Sequence, residues 1–140
     1  MKISTRNQLK GTVTSIKEGA INSEVTLSIS NKDEIVSVIT NASVANLGLK
    51  AGKEAIALIK ASNVIIGIDI KHISARNVLK GTVTSIVEGA INDEVTIGLL
   101  GGGSSITAII TKESVKSLGL AKGTEATAII KASEVILATE

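Results

Sequence analysis

Two short polar triplets interrupt runs that otherwise have the composition of buried strands. Lys60-Ala61-Ser62 stands inside "IALIKASNVII" (56–66), and Lys131-Ala132-Ser133 inside "TAIIKASEVIL" (127–137). β-Branched, apolar stretches of this kind form the interior of sheets, and an ammonium group within one is costly unless a partner meets it. Two further clusters also occur twice: Ser4-Thr5-Arg6-Asn7 with Ser74-Ala75-Arg76-Asn77, and Thr40 with Thr111 at the entrance to a short helical segment. Every chemically active group among them is a donor or a cation, and no carboxylate adjoins their lysines or arginines in the sequence. Hydroxyls, backbone amides, a lysine and an arginine form a kit for holding an anion through many hydrogen bonds. Charge-assisted bonds are the strong ones, and backbone N–H groups add partial positive charge without counter-ions. A tetrahedral oxyanion would satisfy them. The plainer reading of the same residues is a lysine that reaches outward at a strand edge, a serine that begins a turn, and an Arg6 paired with an acidic residue across an interface.

Other chemistries lack their parts. The 140 residues contain no Cys, Phe, Tyr, Trp or Pro and a single His, so neither a disulfide framework nor a thiolate metal site can form. His72 lies in the connector and has no counterpart in the other half. Glu18, Glu24 and Glu54, with Glu88, Glu94 and Glu125, flank turns or exposed strand positions, where solvation explains them better than acid–base catalysis. Gly101-Gly102-Gly103 lacks the lysine and Ser/Thr of a phosphate loop and is expected at a hairpin tip. The net charge of +2 and pI near 8.9 reflect a mild basic excess spread along the chain. Single-strand binders of the small-barrel type stack bases on aromatic side chains, and here there are none. The N-terminus has no apolar signal core, and no stretch approaches the length of a membrane span. A soluble cytoplasmic protein without catalytic activity is expected.

The elements that must position these clusters come in two copies. "ISTRNQLKGTVTSIKEGAINSEVT" (3–26) and "ISARNVLKGTVTSIVEGAINDEVT" (73–96) differ at 4 positions. Beyond residue 28 the offset changes from 70 to 71, which places one added residue between "SNKDE" and "LGGGSS", where a hairpin tolerates insertion. Within each copy, "LKGTVTSIKEG" and "EVTLSI" alternate at period two, while "EIVSVIT" and "EAIALIKASNVII" have the character of more fully buried strands. Gly19-Ala20-Ile21-Asn22 and Asn31-Lys32-Asp33-Glu34 supply turn chemistry. "NASVANLGL" is a short helix that Thr40 or Asn41 caps and Gly48 ends in the left-handed conformation. Five strands and one short helix per unit predict an all-β protein of two tandem small barrels of the oligonucleotide/oligosaccharide-binding type, with units at 1–69 and 70–140. Each unit is near the size at which a lone core is marginal, and "GIDIKH" is a short connector, so the halves should pack closely.

The ordered motifs "SxRNxLKGxV", "IT" followed by "SVxxLGL", and "IKASxVI", each present twice across essentially the full chain, resemble the molbindins, small cytoplasmic proteins built from molybdate-binding Mop domains, here in tandem. The resemblance implies barrel domains that associate as trimers, with molybdate or tungstate bound as the oxyanion at domain and subunit interfaces. It carries the binding role onto Ser4, Thr5, Arg6, Thr40, Lys60, Ala61 and Ser62, and onto Ser74, Ala75, Arg76, Thr111, Lys131, Ala132 and Ser133. Thr5 against Ala75 departs from strict repetition, which a backbone contact would tolerate. Neither nucleic acid nor membrane is an expected partner, no cofactor is implied, and the implied role is molybdenum storage and homeostasis. The alternative on the same barrel is a nucleic-acid or protein-interaction module.

Overall fold

The computed structural model describes residues 1–30 and 33–140. The first repeat forms β1 (Asn7–Glu18), β2 (Asn22–Ser28), β3 (Glu34–Thr40), α1 (Asn41–Leu47), β4 (Glu54–Ile59) and β5 (Ile65–Gly67). The second forms β6 (Asn77–Val87), β7 (Asn92–Leu99), β8 (Ser105–Thr111), α2 (Lys112–Leu118), β9 (Glu125–Ile130) and β10 (Ile136–Ala138). Between β4 and β5, and between β9 and β10, the chain makes a 3-10 turn, at Ala61–Asn63 and Ala132–Glu134. The expected turn at 31–34 falls partly outside the described residues. Gly101–Gly103 does lie at the tip between β7 and β8.

The strands form two curled antiparallel sheets that do not follow the boundary between repeats. One has the order β10-β4-β1-β2-β3 and the other β5-β9-β6-β7-β8, so each sheet takes an outer strand from the other repeat. Ile136, Leu137 and Ala138 pair with Leu58, Ala57 and Ile56, while Ile65, Ile66 and Gly67 pair with Ile129, Ala128 and Thr127. The alternation of these three-residue strands explains how they dock: Ile66 and Leu137 are buried, whereas Ile65 and Ile136 turn outward. A single apolar core of Val, Ile, Leu and Ala side chains, including Leu27, Ile35, Ile59, Ile97, Ile106 and Ile130, runs through both sheets.

The long first strand of each repeat is bent by a bulge, between Val13 and Ser15 in β1 and between Val83 and Ser85 in β6, which curls the sheet. Gly11 sits just before the first of these, where a Cβ would lie 2.5 Å from the Ser28 carbonyl oxygen. The seven-residue helices are bounded as the sequence suggests. Thr40 and Thr111 accept from the backbone N–H of Ser43 and Ser114 at 3.1 Å, and Gly48 and Gly119 end the helices at φ 63° and 65°.

Two buried asparagines clamp the repeats together. Asn7 donates to the carbonyls of Thr107 (2.8 Å) and Ile59 (3.2 Å) and accepts from the N–H of Thr107 at 2.8 Å. Asn77 donates to the Val36 carbonyl at 2.8 Å and accepts from its N–H at 2.7 Å. Each side-chain amide thus acts as one extra rung on the outer strand of the opposite sheet, satisfying backbone groups that burial would otherwise orphan. Ser37, fully buried, donates to the Val135 carbonyl at 2.7 Å and ties β3 to the end of the second repeat's turn.

Two outcomes follow from this exchange. A fragment ending at residue 69 has no β10 to complete its own sheet, so it should associate as a strand-exchanged dimer in light scattering; a stable monomer would contradict the topology. Asn77→Ala leaves the Val36 groups unpaired and should lower unfolding stability by about 1–3 kcal/mol in chemical denaturation.

Candidate functional site

The lysines are not buried. The run that contains Lys60 is two strands in different sheets, with the residue at the corner between them. β4 ends at Ile59, Lys60 has φ −66° and ψ 135°, and the N–H of Asn63 returns to the Lys60 carbonyl at 2.9 Å to close the turn. Only the central alanine of each triplet, Ala61 and Ala132, packs inward; Lys60, Ser62, Lys131 and Ser133 are exposed. The expectation of a charge inside a buried strand is therefore corrected. An apolar run reads as one strand even where the chain changes sheet.

Strand register joins this turn to the Ser-x-Arg segment. Asn7 lies opposite Ile59 and Asn77 opposite Ile130, so Arg6 and Lys60 step off the same end of the β1–β4 pair, as Arg76 and Lys131 do off β6–β9. Ser4 and Ser74 are exposed, while Thr5 and Ala75 are half-buried. The Thr5 hydroxyl is shielded from solvent and has no hydrogen-bond partner among the described residues.

Strands of the opposite repeat pack on these turns. β8, which ends in Thr111, packs against the turn at Ala61–Asn63, and β3, which ends in Thr40, packs against Ala132–Glu134. Each end of the molecule thus combines a Ser-x-Arg segment and a Lys-Ala-Ser turn of one repeat with the threonine-bearing strand of the other. Both threonine hydroxyls are engaged in capping, donating to the Ser43 and Ser114 hydroxyls at 2.9 and 2.8 Å.

The arginines do have carboxylate partners, which corrects the reading of a site made only of donors and cations. Arg6 Nη1 and Nη2 donate to Glu94 Oε2 and Oε1 at 2.6 and 2.8 Å, and Arg76 Nη1 donates to Glu24 Oε2 at 2.6 Å. The Arg6 hydrogen bonds hold the Glu94 carboxyl below the usual range, and the Arg76 hydrogen bond does the same for Glu24. Solvation alone therefore does not account for Glu24 and Glu94. The paired-arginine alternative describes what these side chains do.

Lys112, next to Thr111, is compensated too. Its Nζ lies 3.1 Å from Asp93 and 3.3 Å from Glu88. Burial pushes the Asp93 carboxyl up, but the Gly89 N–H at 3.1 Å and the Lys112 ammonium outweigh it and hold the group below its ordinary value. The first repeat has Ser23 and Asn41 at these positions, joined by a neutral hydrogen bond of 2.6 Å. By contrast, Lys60 and Lys131 make no ion pair among the described residues.

These ends are open surfaces. A cleft of about 460 Å³ beside Arg6 is lined by Lys10, Gly103, Ser104 and Thr107, and its counterpart in the other repeat by Asp33, Glu34, Val78 and Lys80; neither is lined by Lys60 or Lys131. His72 is exposed in the connector, and among the described residues no cluster of His, Asp or Glu could hold a metal ion. No helix among them is long and apolar enough to cross a membrane. The clamping role of Asn7 and Asn77 was not foreseen. Their doubled presence beside each Ser-x-Arg segment was the available signal, but it suited a ligand contact equally well.

Fold and site together define a tandem, strand-exchanged β protein that presents lysine turns and neutral donors at two related ends. The chain belongs to the TOBE-domain family, matching the TOBE domain at residues 3–66 and again at 73–137, as the resemblance to the molbindins implied. It is 45% identical over 139 residues to the molybdenum transport protein ModE of Azotobacter vinelandii and 46% identical over 140 residues to the molybdenum-pterin-binding protein MopA of Rhodobacter capsulatus. These matches cover 99% of this chain but 51% and 52% of the relatives, so the chain spans about half their length. A probable molybdenum-pterin-binding protein of Haemophilus influenzae matches over its whole length, at 46% identity across 69 residues and 49% of this chain. Among solved structures, the cytoplasmic molybdate-binding protein ModG, in a form with molybdate bound, superposes with a TM-score of 0.95 at 48% identity, covering 100% of both chains.

The Asp93–Lys112 pair predicts a pH effect specific to the second repeat. A carboxyl held below its unfolded value contributes stability above that value, and the contribution is lost as pH falls through the folded one. Replacing the pair by its first-repeat counterpart, Asp93→Ser with Lys112→Asn, should flatten the fall in melting temperature below about pH 4. An unchanged acid limb would contradict the assignment.

Proposed function

We propose that this protein binds molybdate, and tungstate as its close analogue, as intact oxyanions, storing and buffering the cytoplasmic pool without catalysing a reaction. The observation that carries this reading is the doubled arrangement of an uncompensated lysine beside a serine, a Ser-x-Arg segment and a threonine-bearing strand, at corresponding ends of a pseudo-symmetric chain. Lys60 and Lys131 supply charge to a dianion, while hydroxyls and backbone N–H groups of the turns supply neutral donors that do not need counter-ions. Thr5, whose hydroxyl has no partner among the described residues, adds a donor in the first repeat that Ala75 does not offer. The molybdate-bound ModG fold supports the choice of anion.

The exposure of both Lys-Ala-Ser turns favours completion of each site by another chain, in a homotrimer with oxyanions at its domain and subunit interfaces. The repeats 1–69 and 70–140 are the domain units of this assembly, joined within the chain by their exchanged strands. A single-strand nucleic-acid module on the same fold would lack the aromatic platforms such binding uses.

Isothermal titration should give binding heat with molybdate and with tungstate; absence of heat with both would refute the proposal. Lys60→Ala combined with Lys131→Ala should weaken molybdate binding about tenfold or more, the range of a lost charged hydrogen bond, while the ligand-free melting temperature stays near that of the parent. Because both lysines are exposed, loss of folding in this variant would point to a structural role instead.

A further inference from the structure

The arginines of the two Ser-x-Arg segments are already occupied by anions that belong to the protein. Glu94 meets Arg6 fork to fork, with both carboxylate oxygens and both terminal nitrogens engaged at 2.6 and 2.8 Å. Glu24 meets Arg76 through one bond of 2.6 Å and faces Lys17 across the β1–β2 pair, where Glu94 faces Val87 across β6–β7. Both glutamates come from the opposite repeat, on the strand adjoining the one that ends in the site threonine. The pairs are not locked by burial: side-chain exposure is 49% and 31% for Arg6 and Glu94, and 50% and 30% for Arg76 and Glu24. Each carboxylate can leave its arginine without exposing core.

We infer that Glu94 and Glu24 are specificity-determining residues of the oxyanion site, acting as tethered carboxylates that keep the arginines from weakly bound anions. This rests on the oxyanion reading above. A tethered group competes at an effective concentration of about a millimolar or more. An anion that offers the arginine only its charge, such as sulfate or chloride, exchanges one anion for another and gains little. To engage the arginine, an anion must also gain from the lysine turn and its neutral donors. The fork-to-fork geometry at Arg6 makes this competition stronger there than at Arg76, whose partner divides its charge with Lys17.

The test uses the full chain with Glu24→Gln and Glu94→Gln, singly and together, titrated calorimetrically with sodium sulfate in chloride-poor buffer. Glutamine keeps an acceptor for the arginine but removes the competing charge. Sulfate binding should tighten about threefold or more per substitution, in keeping with the strength of an exposed ion pair, with the larger change for Glu94→Gln. Glu94→Asp, which keeps the charge, should stay near the parent. Unchanged or weaker sulfate binding in the folded glutamine variants would overturn the inference, as would equal tightening in Glu94→Asp. Loss of folding in the glutamine variants would overturn it too, making the glutamates structural. Titration of the parent with molybdate tests the oxyanion assignment separately, because a gain in sulfate affinity stands or falls whether or not molybdate binds.

Discussion

The reciprocal exchange of β5 and β10 is the constraint on which the rest of the molecule depends. Each repeat ends in a strand too short to stand alone, and each pairs with a strand of the other repeat, β5 with β9 and β10 with β4. To cross from one sheet to the other the chain must turn sharply after β4 and after β9, and the two Lys-Ala-Ser triplets are those corners. The same crossing brings the turn of one repeat against β8 or β3 of the other, so the composite character of the two ends follows from the topology. Asn7 and Asn77 reinforce it with side-chain rungs that replace missing ladder bonds. Burial of these amides is tolerable because every polar group in the clamp finds a partner.

Electrostatics then sorts the cations by role. Arg6, Arg76 and Lys112 each meet a carboxylate, two of the three pairs bridging the repeats. The two half-exposed arginine pairs contribute little to stability, and their greater effect is on the local field. Lys60 and Lys131 sit at solvated corners and avoid the desolvation that a lysine within a strand would have suffered. On the proposed oxyanion reading, selection among anions of equal charge falls to the geometry of hydroxyls and backbone amides. A surface of uncompensated arginine would bind dianions more indiscriminately.

Much of the fold was legible in the sequence because it is carried by local signals. The duplication, the strand-rich units, the Thr40 cap, the Gly48 stop and the hairpin tip at Gly101–Gly103 each depend on neighbouring residues. What stayed hidden depends on long-range pairing. The alternation in "NVII" and "EVIL" identifies a strand but not the sheet it joins, so "IALIKASNVII" read as one buried run and its lysine as a buried charge. Arg6 and Glu94 are separated by 88 residues and Arg76 and Glu24 by 52, distances over which no periodicity reports contact. Asn7 was visible as part of a polar cluster, yet its type suits a ligand contact and a backbone clamp equally. Recent duplication could not arbitrate, since it copies both kinds of residue.

The central claim is that each oxyanion site is composite, built on the Lys-Ala-Ser corner of one repeat and the threonine-bearing strand of the other. A crystal structure grown with tungstate tests this most directly, because anomalous scattering marks tungsten without prior assumptions about its ligands. Peaks beside Lys60–Ser62 and Lys131–Ser133, within reach of the Ser-x-Arg segments, are the predicted result. Peaks confined to other surfaces, or a fully formed crystal with none, would contradict it.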